Sequence, residues 1–340
     1  QRHDFDLLLT VGDNIYGSTL CNVDGAPGWY DPFWFRLYGP TMKRAPVFPA
    51  LGNHDKDTAN GQYQVDYFYA PTNGPVSEIG KNYTLDYGNV QFIIIDSDPF
   101  QNNETAVMAS ITSWLSNAVA QSTQTWKIAL FHHPAFTSQG NHNDNERVKA
   151  QIIPILKAHG VQYIFQGHNH FYERINAING IHYNTCGACG AFLYGISNRK
   201  EYSAQLIADK HSYSVVDING GRLKLEQFSE NDTKIDEFNL DIHHAFAIDG
   251  LLDNPGWLRA QNNLQVYAAI RGFNLYVATQ DAGEGNDHFI YIADALSTQR
   301  PANWAKSGTI MQWGAMLADE NDGGFQGWFG PDQQALTDFD

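Results

Sequence analysis

Four short apolar runs, each ended by a turn with metal-binding side chains, constrain the fold of this chain more than any other feature. They span residues 7–11, 47–51, 128–131 and 161–166. Apolar runs of this length, bounded by turn residues, are typical of buried β-strands. In open α/β sheets the ligand crevice lies beyond the carboxyl ends of the strands. We therefore expect the four turns to meet at one rim of a shared sheet.

The turns carry a mixed set of oxygen and nitrogen donors. Their sequences are Gly12-Asp13-Asn14-Ile15-Tyr16, Gly52-Asn53-His54-Asp55, Phe131-His132-His133-Pro134 and Gly167-His168-Asn169-His170. Asp13 can bridge two ions, and a turn can bring the Tyr16 phenolate, three residues on, to one of them. Amide oxygens and imidazole nitrogens from the other turns complete a set that suits transition metals. The pattern predicts two metal ions about 4 Å apart.

Composition sets the class of protein and excludes some partners. The chain has 340 residues, of which 43% are hydrophobic and 17% charged, as in a globular protein of one large and one smaller domain. The net charge of -16 argues against nucleic acid as the main partner. Small phosphate esters remain compatible, because the charge of bound metal ions dominates locally. No apolar run approaches the ~20 residues of a membrane span.

Residues 1–240 alternate strands and helices, which predicts an α/β domain. Beyond the four runs, residues 91–95 form a further predicted strand. Residues 106–120 have helical spacing, with one apolar face made of Met108, Ile111, Leu115 and Val119. A second helix is predicted over 145–159, started by Asn143 or Asp144, kinked at Pro154 and closed by Gly160.

The later part of the chain has a β-rich pattern. Residues 212–218 and 223–228 form a predicted hairpin around Asn219-Gly220-Gly221. Residues 264–270 and 273–279 form another around Arg271-Gly272, and 288–293 and 309–317 continue the pattern. Short strands without helices predict a β-sandwich domain over residues 241–340, truncated at its end.

The predicted sandwich offers two weaker hypotheses about ligands. Its aromatic residues, Trp257, Trp304, Trp313 and Trp328 among them, fit core packing, or alternatively stacking against a polysaccharide. It is weakly similar to carbohydrate-binding and DOMON-like sandwiches. The acidic turns at 281–287 and 319–322 are candidate calcium sites, although solvated loops explain them equally simply.

The four motifs, with Tyr16 and Tyr172-Glu173-Arg174, resemble the calcineurin-like metallophosphoesterases and, within them, the purple acid phosphatase branch. The resemblance covers roughly residues 1–240. It implies an α/β/β/α sandwich whose two ions serve the hydrolysis of small phosphate monoesters by a metal-bound hydroxide.

The resemblance also implies a role for each donor. Asp13 would bridge the ions. The first ion, normally ferric, would be bound by Tyr16 and His170, and the second, zinc, iron or manganese, by Asn53, His132 and His168. His54 is the candidate catalytic residue, which would contact the substrate phosphate or protonate the leaving oxygen.

Three features depart from the family. The family's first strand carries another ligand, an aspartate, whereas Asp4 and Asp6 lie at the wrong end of the strand that leads to Asp13. We therefore expect either a chain that is a piece of a longer or processed precursor, or an impaired first ion site. His133 fills a variable position and is, with His142 in the following loop, a candidate substrate-binding residue.

The third departure is a pair of cysteines. Cys186 and Cys189 stand where the family commonly has small residues. Packed thiols or a small local disulfide are favoured over a thioredoxin-like redox role, because no strand-then-helix frame surrounds them.

Other functions and locations stay open at this point. The same scaffold serves phosphodiesterases, and a degenerate copy would serve as an extracellular structural or adhesive protein. Sequons at Asn82, Asn103 and Asn231 suit a secreted or periplasmic glycoprotein.

Overall fold

The computed structural model describes residues 4–16 and 25–242 with their side chains and, between residues 258 and 329, the backbone of further strands. The chain divides into two compact units, Gln1–Ala245 and Phe246–Asp340.

The first unit alternates strands and helices along most of its length. Its strands are β1 (Leu8–Thr10), β2 (Val47–Pro49), β3 (Tyr83–Tyr87), β4 (Val90–Ile94), β5 (Trp126–Leu130), β6 (Tyr163–Gln166), β7 (Tyr172–Ile178), β8 (Ile181–Cys186), β9 (Ser203–Ile207), β10 (Ser212–Asn219), β11 (Arg222–Ser229) and β12 (Lys234–Asp241). Its α-helices are α1 (Pro27–Tyr30), α2 (Arg36–Met42), α3 (Asn53–Lys56), α4 (Gln62–Tyr67), α5 (Asp98–Asn102), α6 (Thr105–Ala120), α7 (Glu146–Gln151) and α8 (Ile153–Ala158).

The largest sheet has seven strands in the order β3-β4-β5-β6-β8-β7-β9. Strands β4, β5, β6 and β8 pair in parallel, while β3, β7 and β9 pair antiparallel at the two sides. Helices α5 to α8 cover one face through an apolar cluster that includes Ile111, Leu115, Ile164 and Leu156. The parallel core therefore presents the carboxyl ends of β5 and β6 side by side.

A second layer of strands packs on the opposite face. It contains the parallel pair β1–β2 and the antiparallel sheet β10-β11-β12. Leu9, Phe48, Leu223 and Leu225 contact the apolar side chains of β4, β5 and β6 in one cluster. The prediction of one shared sheet was wrong: β1 and β2 form a sheet of their own, and the turns converge from two facing sheets.

The outer face of β1–β2 is covered by α1, α2 and the chain around α4. Ile15, Tyr30, Trp34 and Phe68 form the apolar cluster there, with Leu8 packed against it. Helices thus lie outside two facing layers of strands, and the first unit has the predicted α/β/β/α architecture.

Two helices were predicted from the sequence; one is confirmed and the other differs from its prediction. Helix α6 buries Met108, Ile111, Leu115 and Val119, the predicted face. The predicted helix over 145–159 is instead two helices separated at Ile152, because Pro154, in the first turn of α8, has no N–H to donate to the preceding turn. The cap was also wrong: it is Asn145, whose side chain accepts the N–H groups of Arg147 and Val148.

The predicted hairpin after residue 210 is confirmed, with Asn219 opposite Arg222 and a positive φ at Gly220. Among the residues that the structure describes, no helix is long and apolar enough to cross a membrane.

The second unit consists of strands wherever it is described. They are β13 (Leu258–Asn262), β14 (Leu264–Arg271), β15 (Asn274–Gln280), β16 (His288–Ile292), β17 (Gln299–Pro301), β18 (Thr309–Met311), β19 (Ala315–Asp319) and β20 (Gln326–Phe329). They form the sheets β13-β14-β15, β16-β19-β20 and β17-β18, all antiparallel. The single strand predicted over 309–317 is two strands in different sheets, since β18 pairs with β17 whereas β19 pairs with β16 and β20. The candidate calcium turns and the aromatic side chains lie outside the described residues.

Candidate metal centre

Two glycines let the first two motif loops touch. Gly12 has a φ of +90°, and a Cβ on it would lie 2.7 Å from the backbone nitrogen of Gly52. A Cβ on Gly52 would lie 2.2 Å from Asp13 Oδ1. Asp13 itself has a φ of +56°, which is uncommon for a residue with a side chain. The loops after β1 and β2 therefore meet so closely that only glycine fits at both positions.

Asp55 holds the same two loops together from inside. Its carboxylate accepts the backbone N–H groups of Asn14, Ile15 and Gly52 at 2.9–3.0 Å, and the Asn14 side-chain amide at 3.1 Å. Burial and the charge of Asp13 raise the pKa of Asp55 to about 7, although the backbone N–H donors oppose that rise. Four N–H donors on one carboxylate favour its ionised form. Asp55 is thus the structural residue of the Gly-Asn-His-Asp motif.

One oxygen of Asp13 is shared by two groups of donors. Asp13 Oδ2 lies 3.1 Å from the Tyr16 hydroxyl and 3.0 Å from His132 Nε2, while Oδ1 accepts the backbone N–H of His54 at 3.0 Å. Burial alone would raise the pKa of Asp13, but His132 outweighs it and holds the pKa well below its usual range. A buried carboxylate with one shared oxygen has the placement that a bridging ligand requires.

The first group, which we call the tyrosine half, consists of Tyr16 and His170 with Asp13. The Tyr16 hydroxyl lies 3.1 Å from His170 Nε2. His170 Nδ1 lies 2.7 Å from the backbone oxygen of Phe192, and the Tyr194 ring stacks on the imidazole with centroids 3.9 Å apart. Burial, which outweighs the Phe192 bond, lowers the pKa of His170.

The second group, the histidine half, consists of Asn53, His132 and His168 with Asp13. His132 Nε2 lies 3.1 Å from His168 Nδ1, and the ligand atoms of Asp13, His132 and His168 all fall within 4.8 Å of one another. His168 has a φ of +67°. Burial and the neighbouring His132 lower the pKa of His168 to about 2, so its imidazole is neutral at physiological pH.

Two observations show that these residues fit metal ions. His132 Nδ1 lies 2.8 Å from the Val11 backbone oxygen and His170 Nδ1 lies 2.7 Å from that of Phe192. A carbonyl only accepts hydrogen bonds, so each ring carries a hydrogen on Nδ1, while Nε2 of His132 faces Asp13 Oδ2 and Nε2 of His170 faces the Tyr16 hydroxyl. The Asn53 side-chain oxygen is buried without a hydrogen-bond partner. A buried acceptor without a donor calls for a cation.

The remaining predicted residues lie around this centre. The His54 ring is 4.5 Å from the Tyr16 ring, and the His142 ring stacks on His168 with centroids 3.7 Å apart. Asn169 fixes His142 by bonding both its N–H and its backbone oxygen. His133 is 1% exposed, with Nδ1 at 3.0 Å from Ser97 Oγ and Nε2 without a partner. The structure thus brings all of the predicted site residues together.

Several residues that shape the site were missed from the sequence. Tyr194 and the Phe192 carbonyl follow no recognisable pattern, because a loop that folds back from residue 190 onto His170 leaves no periodic signal. The sequence does offer a signal for Asp55 and Ser97. Asp55 belongs to a motif, and Ser97 follows Asp96 shortly after a buried strand.

The segment Tyr172-Glu173-Arg174 anchors the strand that follows His170. Glu173 is buried and accepts the Ser138 N–H at 2.7 Å on one side of β7. On the other side, Asp236 of β12 accepts the Tyr172 hydroxyl at 2.7 Å and two N–H groups of Arg174 at 2.7 and 3.0 Å. This motif holds the histidine loop through contacts with two other parts of the fold.

Three other predictions have structural outcomes. Cys186 and Cys189 are free thiols, so the local disulfide is not formed, and burial raises the pKa of Cys186 to about 11. Asn82 is fully buried and its side-chain oxygen accepts the Asp96 N–H, so the folded chain cannot carry a glycan there. Asn103 and Asn231 are exposed.

The family model described as calcineurin-like phosphoesterase matches residues 1–172, half of the chain. The chain therefore belongs to the calcineurin-like phosphoesterases, a family of metal-dependent hydrolases, and its relatives include purple acid phosphatases. Among these relatives, purple acid phosphatase 23 of Arabidopsis thaliana is 26% identical over 209 residues, which cover 55% of this chain and 45% of the relative. An uncharacterized protein of Mycobacterium tuberculosis is 25% identical over 188 residues, 49% of this chain and 35% of that protein.

Two solved structures share the fold. Purple acid phosphatase PPD1 from yellow lupin has a TM-score of 0.57 at 20% identity, over 70% of this chain and 47% of the lupin chain. GAP50, described as the anchor in the inner membrane complex of Plasmodium, has a TM-score of 0.53 at 20% identity, over 69% of this chain and 78% of that chain. The chain spans about half the length of the curated relatives it matches.

Proposed function

We propose that this protein hydrolyses phosphate monoesters at a centre of two metal ions. The observation that carries the proposal is the sharing of Asp13 Oδ2 between the Tyr16 hydroxyl and His132 Nε2, with one group of donors on each side. Two ions bridged by one carboxylate explain why both groups point at the same oxygen. A single ion would leave one of them without a role.

Each half of the centre would hold one ion. Tyr16 and His170 suit a ferric ion, because a phenolate is a hard anionic donor. Asn53, His132 and His168 suit zinc, iron or manganese. When bound, the ions supply an activated water and positive charge for the phosphoryl oxygens.

The other residues of the chain position the substrate. The His54 ring lies beside Tyr16, at the edge of the centre, where its imidazole reaches a phosphoryl or leaving-group oxygen and donates a proton to it. His142 and His133 flank His168 and contact the same bound ester from the other side.

We also propose that the protein is secreted or exported to a periplasm. Asn103 and Asn231 are exposed sequons that would accept glycans in a secretory pathway. Calcium and polysaccharide binding by the second unit stay predictions from the sequence.

Metal analysis joined to one substitution tests the function. The purified protein should hold two transition-metal ions per chain. Asp13→Asn should lower kcat/KM for phosphate monoesters by about 1,000-fold, ~4 kcal/mol of transition-state stabilisation, and leave the fold intact, since asparagine tolerates a positive φ. Asp209→Asn, on an exposed residue, is the matched control and should change neither property. Fewer than one ion per chain, or full turnover by Asp13→Asn, contradicts the proposal.

The same experiment decides the alternatives. An extracellular structural or adhesive scaffold would show no turnover even with metals bound; GAP50, which shares the fold, is described as an anchor. A phosphodiesterase would prefer bis-p-nitrophenyl phosphate to p-nitrophenyl phosphate. The donor set argues for the enzyme, because a scaffold has no need of a buried, unpartnered Asn53 oxygen.

A further inference from the structure

A cleft of about 490 Å³ opens beside the histidine half of the centre. Asn53 and His168 line its inner end, so the cleft is continuous with the metal centre. From there it runs past His133 toward Asn102 and Glu104 at the start of α6. A phosphate ester bound at the centre therefore has room for its alcohol group in this direction.

His133 marks the junction between the centre and the cleft. Its ring lies 4.6 Å from the His168 ring, and its Nε2 is buried without a partner. The buried Ser97 hydroxyl accepts the backbone N–H of His133 at 2.9 Å and lies 3.0 Å from His133 Nδ1. A buried hydroxyl needs an acceptor for its own proton, and Nδ1 supplies one. The hydrogen of the neutral ring is then on Nε2, which is a fixed donor toward the cleft.

The wall of the cleft is polar along its whole length. Every described residue that lines it carries a carboxylate, carboxamide, amine or imidazole group. Gln101, Asn102 and Asn60 provide carboxamides, and Asp57 and Glu104 provide carboxylates, all at exposed positions. Carboxamides and carboxylates of this kind bond the hydroxyl groups of an alcohol well.

The charge of the wall is negative. Lys56 is the cation among the lining residues, but its Nζ lies 2.7 Å from Asp96 and 3.4 Å from Asp98, and all three side chains are buried. The amine charge is therefore neutralised inside the wall, and the Glu104 carboxylate lies at the opening. A leaving group with a second phosphate would be repelled.

We propose that this cleft is the leaving-group pocket for an uncharged, hydroxyl-rich alcohol such as a sugar or polyol, with His133 Nε2 donating to the ester at its inner end. This inference rests on the proposed phosphatase function and names the substrate class of the same centre.

Three phosphate esters with matched primary leaving groups test the substrate class on the metal-loaded protein. Glucose 6-phosphate should have a kcat/KM about tenfold or more above that of cyclohexylmethyl phosphate, which lacks the hydroxyls. It should also exceed glucose 1,6-bisphosphate by about threefold or more. Equal or reversed preference in the first pair overturns the proposal.

A charge reversal tests the role of the wall itself. Glu104→Lys should raise kcat/KM for the bisphosphate relative to the monophosphate by about three- to tenfold at low ionic strength. Glu201→Lys makes the same change at an exposed residue that does not line the cleft, and should leave the ratio unchanged. An equal change of this kcat/KM ratio in both variants would show that the charge of the cleft wall has no specific role, and would contradict the proposal.

A pair of substitutions tests the donor. His133→Leu should raise the inhibition constant of inorganic phosphate and lower kcat/KM for each monoester by about 10- to 100-fold. His133→Gln keeps an N–H group near Nε2 and should recover most of this loss. Equal metal content in both variants excludes damage to the neighbouring His132. If His133→Leu is as active as His133→Gln, the donor role is overturned.

Failure of this inference is distinguishable from failure of the phosphatase proposal. A protein that cleaves the apolar ester best is a phosphatase with a different pocket. If no ester turns over, calorimetric binding of glucose 6-phosphate and cyclohexylmethyl phosphate to the metal-loaded protein still decides the preference, because tighter binding of the apolar ester contradicts it.

Discussion

The two halves of the candidate metal centre use the same chemistry on different supports. In the histidine half, His132 is 1% exposed and its Nδ1 bonds the Val11 backbone at the end of β1. In the tyrosine half, His170 bonds the backbone of Phe192, a residue whose side chain is 92% exposed. One imidazole is oriented by the core of the sandwich and the other by a surface loop.

This difference predicts that the two halves contribute differently to the stability of the fold and to ion affinity. A ligand oriented by the core cannot be changed without disturbing the packing of β1 against the larger sheet. A ligand oriented by a loop can be adjusted, or lost, with little effect on the rest of the fold. We therefore expect truncation of His132 to lower the stability of the fold more than truncation of His170, whose loss should act mainly on ion affinity.

A pair of matched truncations in the metal-free protein tests most directly whether the two supports differ in their contribution to stability. His132→Ala should lower the free energy of unfolding by about 3 kcal/mol or more, because it removes a buried side chain that bonds the Val11 backbone and leaves the Asp13 carboxylate buried without that neighbour. His170→Ala should cost about 1 kcal/mol. Urea denaturation measures both, and equal losses would show that the two supports are equivalent.

Asp55→Asn tests whether one residue supports both halves. An amide in place of the carboxylate turns one acceptor into a donor that faces backbone N–H groups, at a cost of about 2 kcal/mol in unfolding free energy. Because Asp55 joins the Asp13 and Asn53 loops, both ions should bind more weakly, as metal titration would show. Asp66→Asn, at an exposed residue, is the control and should stay within about 0.5 kcal/mol. Loss of one ion alone would assign Asp55 to a single half.

The smallest effect is expected at the loop over the tyrosine half. Tyr194→Ala removes the ring that stacks on His170 and should weaken one of the two ions about tenfold, ~1.4 kcal/mol, without unfolding the protein. Phe192→Ala keeps the backbone oxygen that bonds His170 and should have no effect on ion affinity. A comparable loss in both variants would mean that the loop acts through its side chains as a whole.

Much of the larger unit was predictable because it follows simple periodicity. The apolar face of α6, from Met108 to Val119, appears in the sequence as a helical repeat, and the strands before each motif appear as short apolar runs. The hairpin at Gly220 follows from its turn residues. These features depend on residues that are neighbours in sequence or one turn apart.

Features that depend on tertiary contacts were not predictable. The division of the motif strands between two sheets is invisible in the runs themselves, because a short apolar run indicates a buried strand but not the sheet to which the strand belongs. The capping role of Asn145 rather than Asp144 depends on where the chain leaves β5. The bonds of Ser97 to His133 and of Phe192 to His170 join residues that no local pattern connects.

The anchoring of β7 has a consequence for how distant changes reach the chemistry. Asp236 grips Tyr172 and Arg174 from another sheet, and Tyr172 lies two residues after His170. The start of β7, next to His170, is therefore tied to the outer strand β12 through a single carboxylate. Substitution of Asp236, which lies in a different sheet from the histidine loop, is accordingly expected to loosen the support of that imidazole from behind.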